Sequence, residues 1–319
     1  MIKVSICCIT YNHSPFIRQC LDSFLMQQCD FDFEILIHDD ASTDGTASII
    51  QEYHNRYPSI IKPILQVENQ YSKGVRGINL IYNFPRAEGK YIAMCEGDDY
   101  WEDPLKLQKQ VSILDTNKNY SLVVGGYCSK HEYTKEEQNI IKESSKDCGD
   151  NGYSFNLHDT YKHWNTKVLT AVFVNDGDVF SRLAEYKYSR DVHLFYHLLK
   201  HGDGFYITQV LGVHRIHEGG VHSMVDKRKL AVGGFYIYKE LYEKNRDEYT
   251  RKMYLNYLFI MMNIKIFNGK FAKQYELNLL ELITASISLL KSPKDMLLLY
   301  QVFVNDNLKR KLKTFFQKS

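Results

Sequence analysis

The chain has 319 residues, of which 44% are apolar and 24% charged, the composition of a soluble globular protein with enough apolar material for about two domains. Its net charge of +2 gives no basis for a nucleic-acid partner, and no run reaches the ~18 apolar residues that a membrane span requires. Seven cysteines, an odd number without metal-ligand spacing, read as reduced core residues of a cytoplasmic protein, and the opening MIKVSICCITYN enters a strand at once without a cleavable leader.

Residues 2–9, IKVSICCI, have the continuous apolar character of a strand buried on both faces. A polar turn, Thr10-Tyr11-Asn12-His13, leads to Ser14 and Pro15, which read as the cap and first position of a helix carrying Ile17, Cys20, Leu21 and Phe24 on one face. The pattern repeats: a strand at 33–37, a polar loop from His38 to Thr46 containing Asp39 and Asp40, a helix at 47–57 ended by Pro58, and a strand at 61–67. After residues 91–95 comes the acid turn Glu96-Gly97-Asp98-Asp99, then Tyr100, Trp101 and a helix at 105–114 with Asp103 and Pro104 at its start. Residues 121–127 read as a strand, and 128–165 as a surface excursion or a lid because their periodicity is weak. Strand character resumes at 168–174, a helix follows Arg190-Asp191 at 193–200, and a strand at 204–213 runs into HRIHEGGVH. From about Ser223 the pattern is helical and rich in Tyr, Leu and Met. Alternating strands and helices predict an α/β fold with a mostly parallel sheet flanked by helices, residues 1–222, followed by an α-helical C-terminal segment, 223–319.

In open parallel sheets, ligands bind beyond the carboxyl ends of the strands. Thr10–Asn12, Asp39-Asp40 and Glu96–Asp99 therefore belong on one edge. Three carboxylates within four residues need a cation, and a hard divalent ion that also takes phosphate oxygens suits them. The plain alternative is a solvated turn followed by a helix cap. Neither common glycine-rich phosphate cradle is present, so a phosphate site here relies on metal.

With these residues on the page, the chain resembles family 2 glycosyltransferases of the GT-A fold over residues 2–222. The likeness is carried by VSICCITYN, FEILIHDDASTDGT, AEGKYIAMCEGDDYW, Arg190-Asp191 and HRIHEGGVHS. It implies a nucleotide-diphosphate sugar donor, most simply a UDP-sugar, bound through Thr10, Tyr11, Asn12, Asp39, Asp40, Arg76 and Asp98. It also implies Mn²⁺ or Mg²⁺ at Asp98, Asp99 and His217, and Asp191 as the base of an inverting transfer. Glu96 replaces the usual first Asp of the family motif, and Arg190 the Glu that normally precedes the base.

Each residue also has a plainer role: Asp191 as a helix cap, Asp39 and Asp40 as turn and cap, His214 and His222 as ordinary histidines. Trp101 is expected either to bind acceptor or to serve as a packing anchor for the turn, and Trp164 either to stack on acceptor or to be a surface residue. The acceptor implied is a saccharide or lipid-linked saccharide, as in surface-polysaccharide assembly. The basic terminus around Lys309, Arg310 and Lys311 suggests peripheral contact with the inner face of a membrane, and the C-terminal helices suggest a cap or an oligomer surface. The competing readings are a non-catalytic nucleotide-sugar-binding protein and a nucleotidyltransferase; the latter needs a basic glycine-rich loop that TYNHSP does not supply.

Overall fold

The structure is a computed structural model describing residues 1–142, 151–161, 165–220, 226–267, 273–276, 278–293 and 295. The chain divides into two compact units, Met1–Ser223 and Met224–Ser319. In chain order the first unit contains β1 (Val4–Thr10), α1 (Ile17–Leu25), β2 (Phe33–Asp39), α2 (Thr46–Arg56), β3 (Ile61–Leu65), β4 (Tyr91–Glu96), β5 (Tyr100–Trp101) and α3 (Lys106–Thr116). It continues with β6 (Tyr120–His131), β7 (Glu137–Ile140), β8 (Gly152–Phe155), β9 (Val172–Val174), α4 (Gly177–Ala184), α5 (Asp191–His201) and β10 (Asp203–Ile216).

One mixed sheet takes all ten strands, in the order β3-β2-β1-β4-β9-β6-β10-β5 with β7 beside β6 and β8 beside β10. The first four run parallel, as their doubly buried apolar sequences require: Val4, Ile6, Cys7, Cys8, Ile35, Leu36 and Ile37 are all fully buried. The register pairs Thr10 with Asp39 and Ile9 with Glu96, so the ends of β1, β2 and β4 lie level. Gly89 permits the approach of β4 to β1, since a Cβ there would lie 2.5 Å from the Ser5 nitrogen. Beyond β4 the sheet is mixed: β9 is antiparallel to β4 and β6, whereas β10 runs parallel to β6. The end of β10 pairs Gly212 and Val213 with Trp101 and Tyr100, directly after the acid turn.

Several local expectations change. Ser14 does not cap α1, which starts at Ile17; its N–H instead donates to Asp44 Oδ2 at 2.9 Å. The segment 128–165 contributes strands: β6 extends to His131, β7 pairs with it, and β8 pairs with β10. Backbone pairing to long neighbours supplies the order that side-chain periodicity lacks. Residues 168–174 divide into a 3₁₀ turn, Val168–Thr170, and the three-residue β9.

The second unit contains α6 (Lys227–Asn245), α7 (Glu248–Phe267) and α8 (Leu279–Leu289). Its tyrosines join α6 to α7, with Tyr238 stacked on Tyr257 and Tyr242 on Tyr254 at centroid distances of 4.9 and 5.8 Å. Arg251, almost fully buried, bridges Glu248 and Asp295 at 2.7 and 3.2 Å. No helix among the described residues is long and apolar enough to cross a membrane. The basic terminus at 309–311 lies outside the described residues.

On α3 the apolar residues Leu107, Val111 and Leu114 are buried, and so is Lys106. Its ammonium lies 4.0 Å from the Trp101 ring centroid and has no hydrogen-bond partner. Burial lowers its pKa from 10.5 to about 7. Between those values the unfolded chain holds a proton that the folded chain does not, so this group makes stability rise with pH across that interval. Lys106→Met should therefore stabilise the fold by ~1–4 kcal/mol at pH 7. In urea titrations at pH 7 and pH 10 the advantage should shrink at the higher pH; no gain at pH 7 would contradict this.

Candidate active site

The loops after β1 and β2 are stitched together by side chains. Asn12 takes the left-handed backbone conformation (φ 55°) that asparagine tolerates; its N–H donates to Ser42 Oγ at 2.8 Å and its Oδ1 accepts from Thr43 N at 2.8 Å. Asp44 accepts from Ser14 N, Thr46 N and Thr46 Oγ1 at 2.9, 3.0 and 2.6 Å. Burial alone would raise its carboxyl, but these hydrogen bonds more than offset that and bring it to about 2.

Asp39 and Asp40 do different jobs. Asp39 accepts from the N–H and hydroxyl of Ser42 at 3.0 and 2.5 Å, and burial pushes its carboxyl up. Asp40 holds a following loop by accepting from Gln70 N and Tyr71 N at 2.8 and 3.0 Å. Arg76 lies over the Tyr71 ring at 4.1 Å and donates to the Tyr71 and Val75 carbonyls, so Asp40 and Arg76 both grip the Tyr71 segment. Neither aspartate caps α2. Tyr11 is exposed, whereas Thr10 is buried with a hydroxyl that has no partner.

At the end of β4, ligand atoms of Glu96, Asp98 and Asp99 lie within 4.8 Å of one another. Glu96 reaches solvent; desolvation by the surrounding protein first, then the charges of Asp98 and Asp191, raise its carboxyl to about 7. Asp99, almost fully buried, accepts from Arg215 N at 2.9 Å; burial first, then Asp98 and Glu96, push its carboxyl well up. Asp98 moves the other way. Burial would raise it, but the His217 hydrogen bond and the His13 charge prevail. His217 Nε2 donates to Asp98 Oδ2 at 3.1 Å, and His13 Nε2 lies 3.7 Å from the same oxygen.

Arg215 fastens the turn from below. Its Nη1 donates to the Asp98 carbonyl at 2.6 Å and its Nη2 to Gln19 Oε1, while its Nε meets Glu132 at 3.3 Å. The guanidinium lies 4.4 Å from the Tyr100 ring and 5.1 Å from that of Phe16. Lys167 carries positive charge felt by both Glu96 and Asp99.

Asp191 is exposed and is the first residue of α5, with Arg190 at the cap position; its charge acts on Glu96. Thr10, Asp39, Asp98, Asp99, His217 and Asp191 therefore gather at the carboxyl end of the sheet, with Asn12 tying the adjoining loops. Trp101 does not join them. It is 1% exposed, packs on Phe24 and donates to the Leu169 carbonyl at 2.7 Å, which makes it a core anchor and overturns its acceptor role. Trp164 and His222 lie outside the described residues. His214 turns to the other strand face, its ring 6.2 Å from Tyr127. Sequence reasoning missed His13, Arg215 and Lys167 as site residues. For Arg215 a signal existed: it shares strand parity with His217.

The donor set suits a hard divalent cation, since three carboxylates converge and, among the described residues, none of them pairs with a lysine or arginine side chain. Glu96, Asp98 and Asp99 would hold it.

The sequence profile described as Glycosyl transferase family 2 matches residues 5–175, and the chain belongs to that family. The chain is 50% identical over 112 residues to the uncharacterized protein Rv1520 of Mycobacterium tuberculosis, a match covering 35% of this chain and 31% of that protein; it spans about a third of the length of the curated relatives it matches first. Its fold is similar to S. aureus TarS 1–349, solved in complex with UDP-GlcNAc, with a TM-score of 0.60, 18% identity, and 91% of this chain and 80% of that one covered. It is also similar to the mannosyltransferase PcManGT of Pyrobaculum calidifontis, solved in complex with GDP-Man and Mn²⁺, with a TM-score of 0.51, 17% identity, and coverage of 77% and 64%. These likenesses show a GT-A fold.

The turn depends on Gly97. A Cβ there would lie 2.7 Å from Thr10 Oγ1 and 2.8 Å from Thr10 Cβ. Gly97→Ala should cost ~1–3 kcal/mol in urea melts, by overpacking. Gly177→Ala, where a Cβ meets nothing within 4 Å, should be neutral or slightly stabilising. Equal effects would show that the turn yields freely.

Proposed function

We propose that the unit at 1–222 is the catalytic domain of a metal-dependent, inverting glycosyltransferase that moves a sugar from a nucleotide-diphosphate donor, a UDP-sugar, to a hydroxyl of a saccharide or lipid-linked saccharide. The observation that carries this reading is the convergence of a nucleotide-side carboxylate, Asp39, a three-carboxylate turn and the exposed Asp191 at one sheet edge. Thr10, Tyr11 and Asn12 receive the base, Asp39 the base or ribose, and the Tyr71 segment held by Asp40 and Arg76 borders them. A bound Mn²⁺ or Mg²⁺ would supply Lewis-acid stabilisation of the departing diphosphate.

Asp191 takes the proton of the acceptor hydroxyl as that oxygen bonds to the anomeric carbon. The carbon–oxygen bond to phosphate breaks, and the nucleoside diphosphate leaves with the electron pair. Asp191 is exposed, and although its Oδ1 accepts from Val192 N at 2.9 Å at the start of α5, its Oδ2 is left for this role. Lys167, on the same side as Glu96 and Asp99, adds positive charge where the leaving group's charge grows.

Calorimetric titration of UDP with Mn²⁺ and with EDTA tests the binding half: affinity should be at least tenfold weaker in EDTA, and should fall as far in the Asp98→Asn/Asp99→Asn double variant in Mn²⁺. Asp191→Asn should keep UDP affinity within twofold and lose about 10²–10⁴ in turnover of the UDP-sugar. Unaltered turnover would remove Asp191 as base, and UDP binding without turnover in the unaltered chain would favour the non-catalytic reading. Metal-independent binding of UDP would remove the acid turn from the nucleotide site.

A further inference from the structure

Asp98 is approached by two imidazoles, from different parts of the chain. His217, just beyond β10, packs its ring on Phe16 at 4.6 Å and donates Nε2–H to Asp98 Oδ2. His13, just beyond β1, directs Nε2 at that same oxygen, 3.7 Å away, with its ring edge-on to that of His217 at 6.2 Å and 88°. Its backbone N–H is fixed by Thr46 Oγ1 at 2.9 Å, and a Cβ on Gly97 would come within 3.1 Å of its Nδ1. That Nδ1 is buried and has no hydrogen-bond partner among the described residues.

An ionised carboxylate can only accept, so the imidazoles face it as N–H donors. With Nε2 carrying the hydrogen, a neutral His13 leaves Nδ1 as a bare lone pair, in keeping with a buried atom that no donor meets. The His217 hydrogen bond on Oδ2, with His13 Nε2 beside the same oxygen at 3.7 Å, restrains the rotation of the carboxylate and leaves Oδ1 as the oxygen for an outside partner. The Asp98 carbonyl is already held by Arg215, so side chain and backbone are both constrained. Among the described residues, the converging cation-ligand set contains the three carboxylates and neither histidine. His13 therefore has its effect through Asp98.

We infer that His13 is a positioning residue: with His217 it sets the orientation of the Asp98 carboxylate and so tunes the metal-dependent part of nucleotide-diphosphate binding. The inference rests on the proposed nucleotide-sugar reading of this site. If His13 merely fills space, any side chain of similar volume should replace it. If it lines the nucleotide itself, its loss should be felt with and without metal.

The full chain, carrying His13→Phe, His13→Asn or His13→Gln, would be titrated with Mn²⁺ alone, followed by electron paramagnetic resonance, and with UDP in Mn²⁺ and in EDTA. Phe keeps the bulk, Asn stays polar but falls short of Asp98, and Gln places an amide N–H near the position of Nε2. The Phe and Asn variants should weaken both Mn²⁺ binding and UDP binding in Mn²⁺ about tenfold, with UDP binding in EDTA unchanged. Gln should recover most of the loss. In an Asp98→Asn background the His13 variants should have no further effect, because the residue acts through that carboxylate. Wild-type behaviour of the Phe and Asn variants, equal losses in Mn²⁺ and EDTA, or full additivity with Asp98→Asn would overturn the inference. Should the Phe variant fail to fold, the contrast between Asn and Gln carries the test. If the wild-type chain binds Mn²⁺ but no UDP, the nucleotide reading fails, and His13 is judged on the Mn²⁺ titration alone. Wild-type chain that binds neither would overturn both.

Discussion

Three carboxylates held within 4.8 Å of each other repel one another, and much of the polar construction at this sheet edge exists to hold them there. Burial first, and then this repulsion, raise the proton affinities of Glu96 and Asp99, whereas the His217 hydrogen bond, the nearby His13 and a backbone hydrogen bond keep Asp98 low. The turn is made where it is because β1, β2 and β4 are parallel and level, a register enforced by apolar side chains buried on both faces of each strand. A slip of one residue in β4 would turn its buried faces over. The acid cluster thus draws its position from the apolar core and not from its own interactions.

The loops around it are held by the same logic. Asp44, Asn12 and Ser42 join the turn after β1 to the turn after β2, so that the two loops form one rigid piece above the strand ends. Asp40 reaches the other way and fixes the Tyr71 segment. Two adjacent aspartates of identical chemistry end in separate roles because successive residues leaving a strand point to opposite sides.

Strand character, the alternation of strands and helices, and the gathering of loops at one edge were all legible in the sequence, because buried parallel strands and amphipathic helices write their periods into local residue order. Trp101 was legible only by composition. As an aromatic beside acids it suited either stacking on a sugar or packing, and the indole N–H bond to Leu169 and the contact with Phe24 place it in the core. Arg215 and His13 were not legible as partners of Asp98, since their contact depends on β10 pairing with β5 and on a turn 85 positions away in the chain. The β7 and β8 strands were hidden for a related reason. Their order comes from hydrogen bonds to β6 and β10, which leave little mark on side-chain alternation.

What Arg215 does not do explains the character of the site. It is a fully committed cation: its Nη atoms go to a carbonyl and a glutamine, its Nε to Glu132, and its faces to Tyr100 and Phe16. Its backbone N–H, not its charge, serves Asp99. Had the guanidinium forked onto Asp98 or Asp99, as arginine readily does with carboxylates, the cluster would be neutralised by the fold itself. Instead the strongest cation nearby fixes the shape of the turn and leaves its carboxylates without a guanidinium or ammonium partner. Lys167 contributes charge to Glu96 and Asp99. A turn meant only to be stable would be better served by a direct pair, since burying unpaired carboxylates is costly. The arrangement makes physical sense when the missing positive charge arrives from outside the chain, so that rigidity is built in beforehand and neutralisation is reserved for what binds.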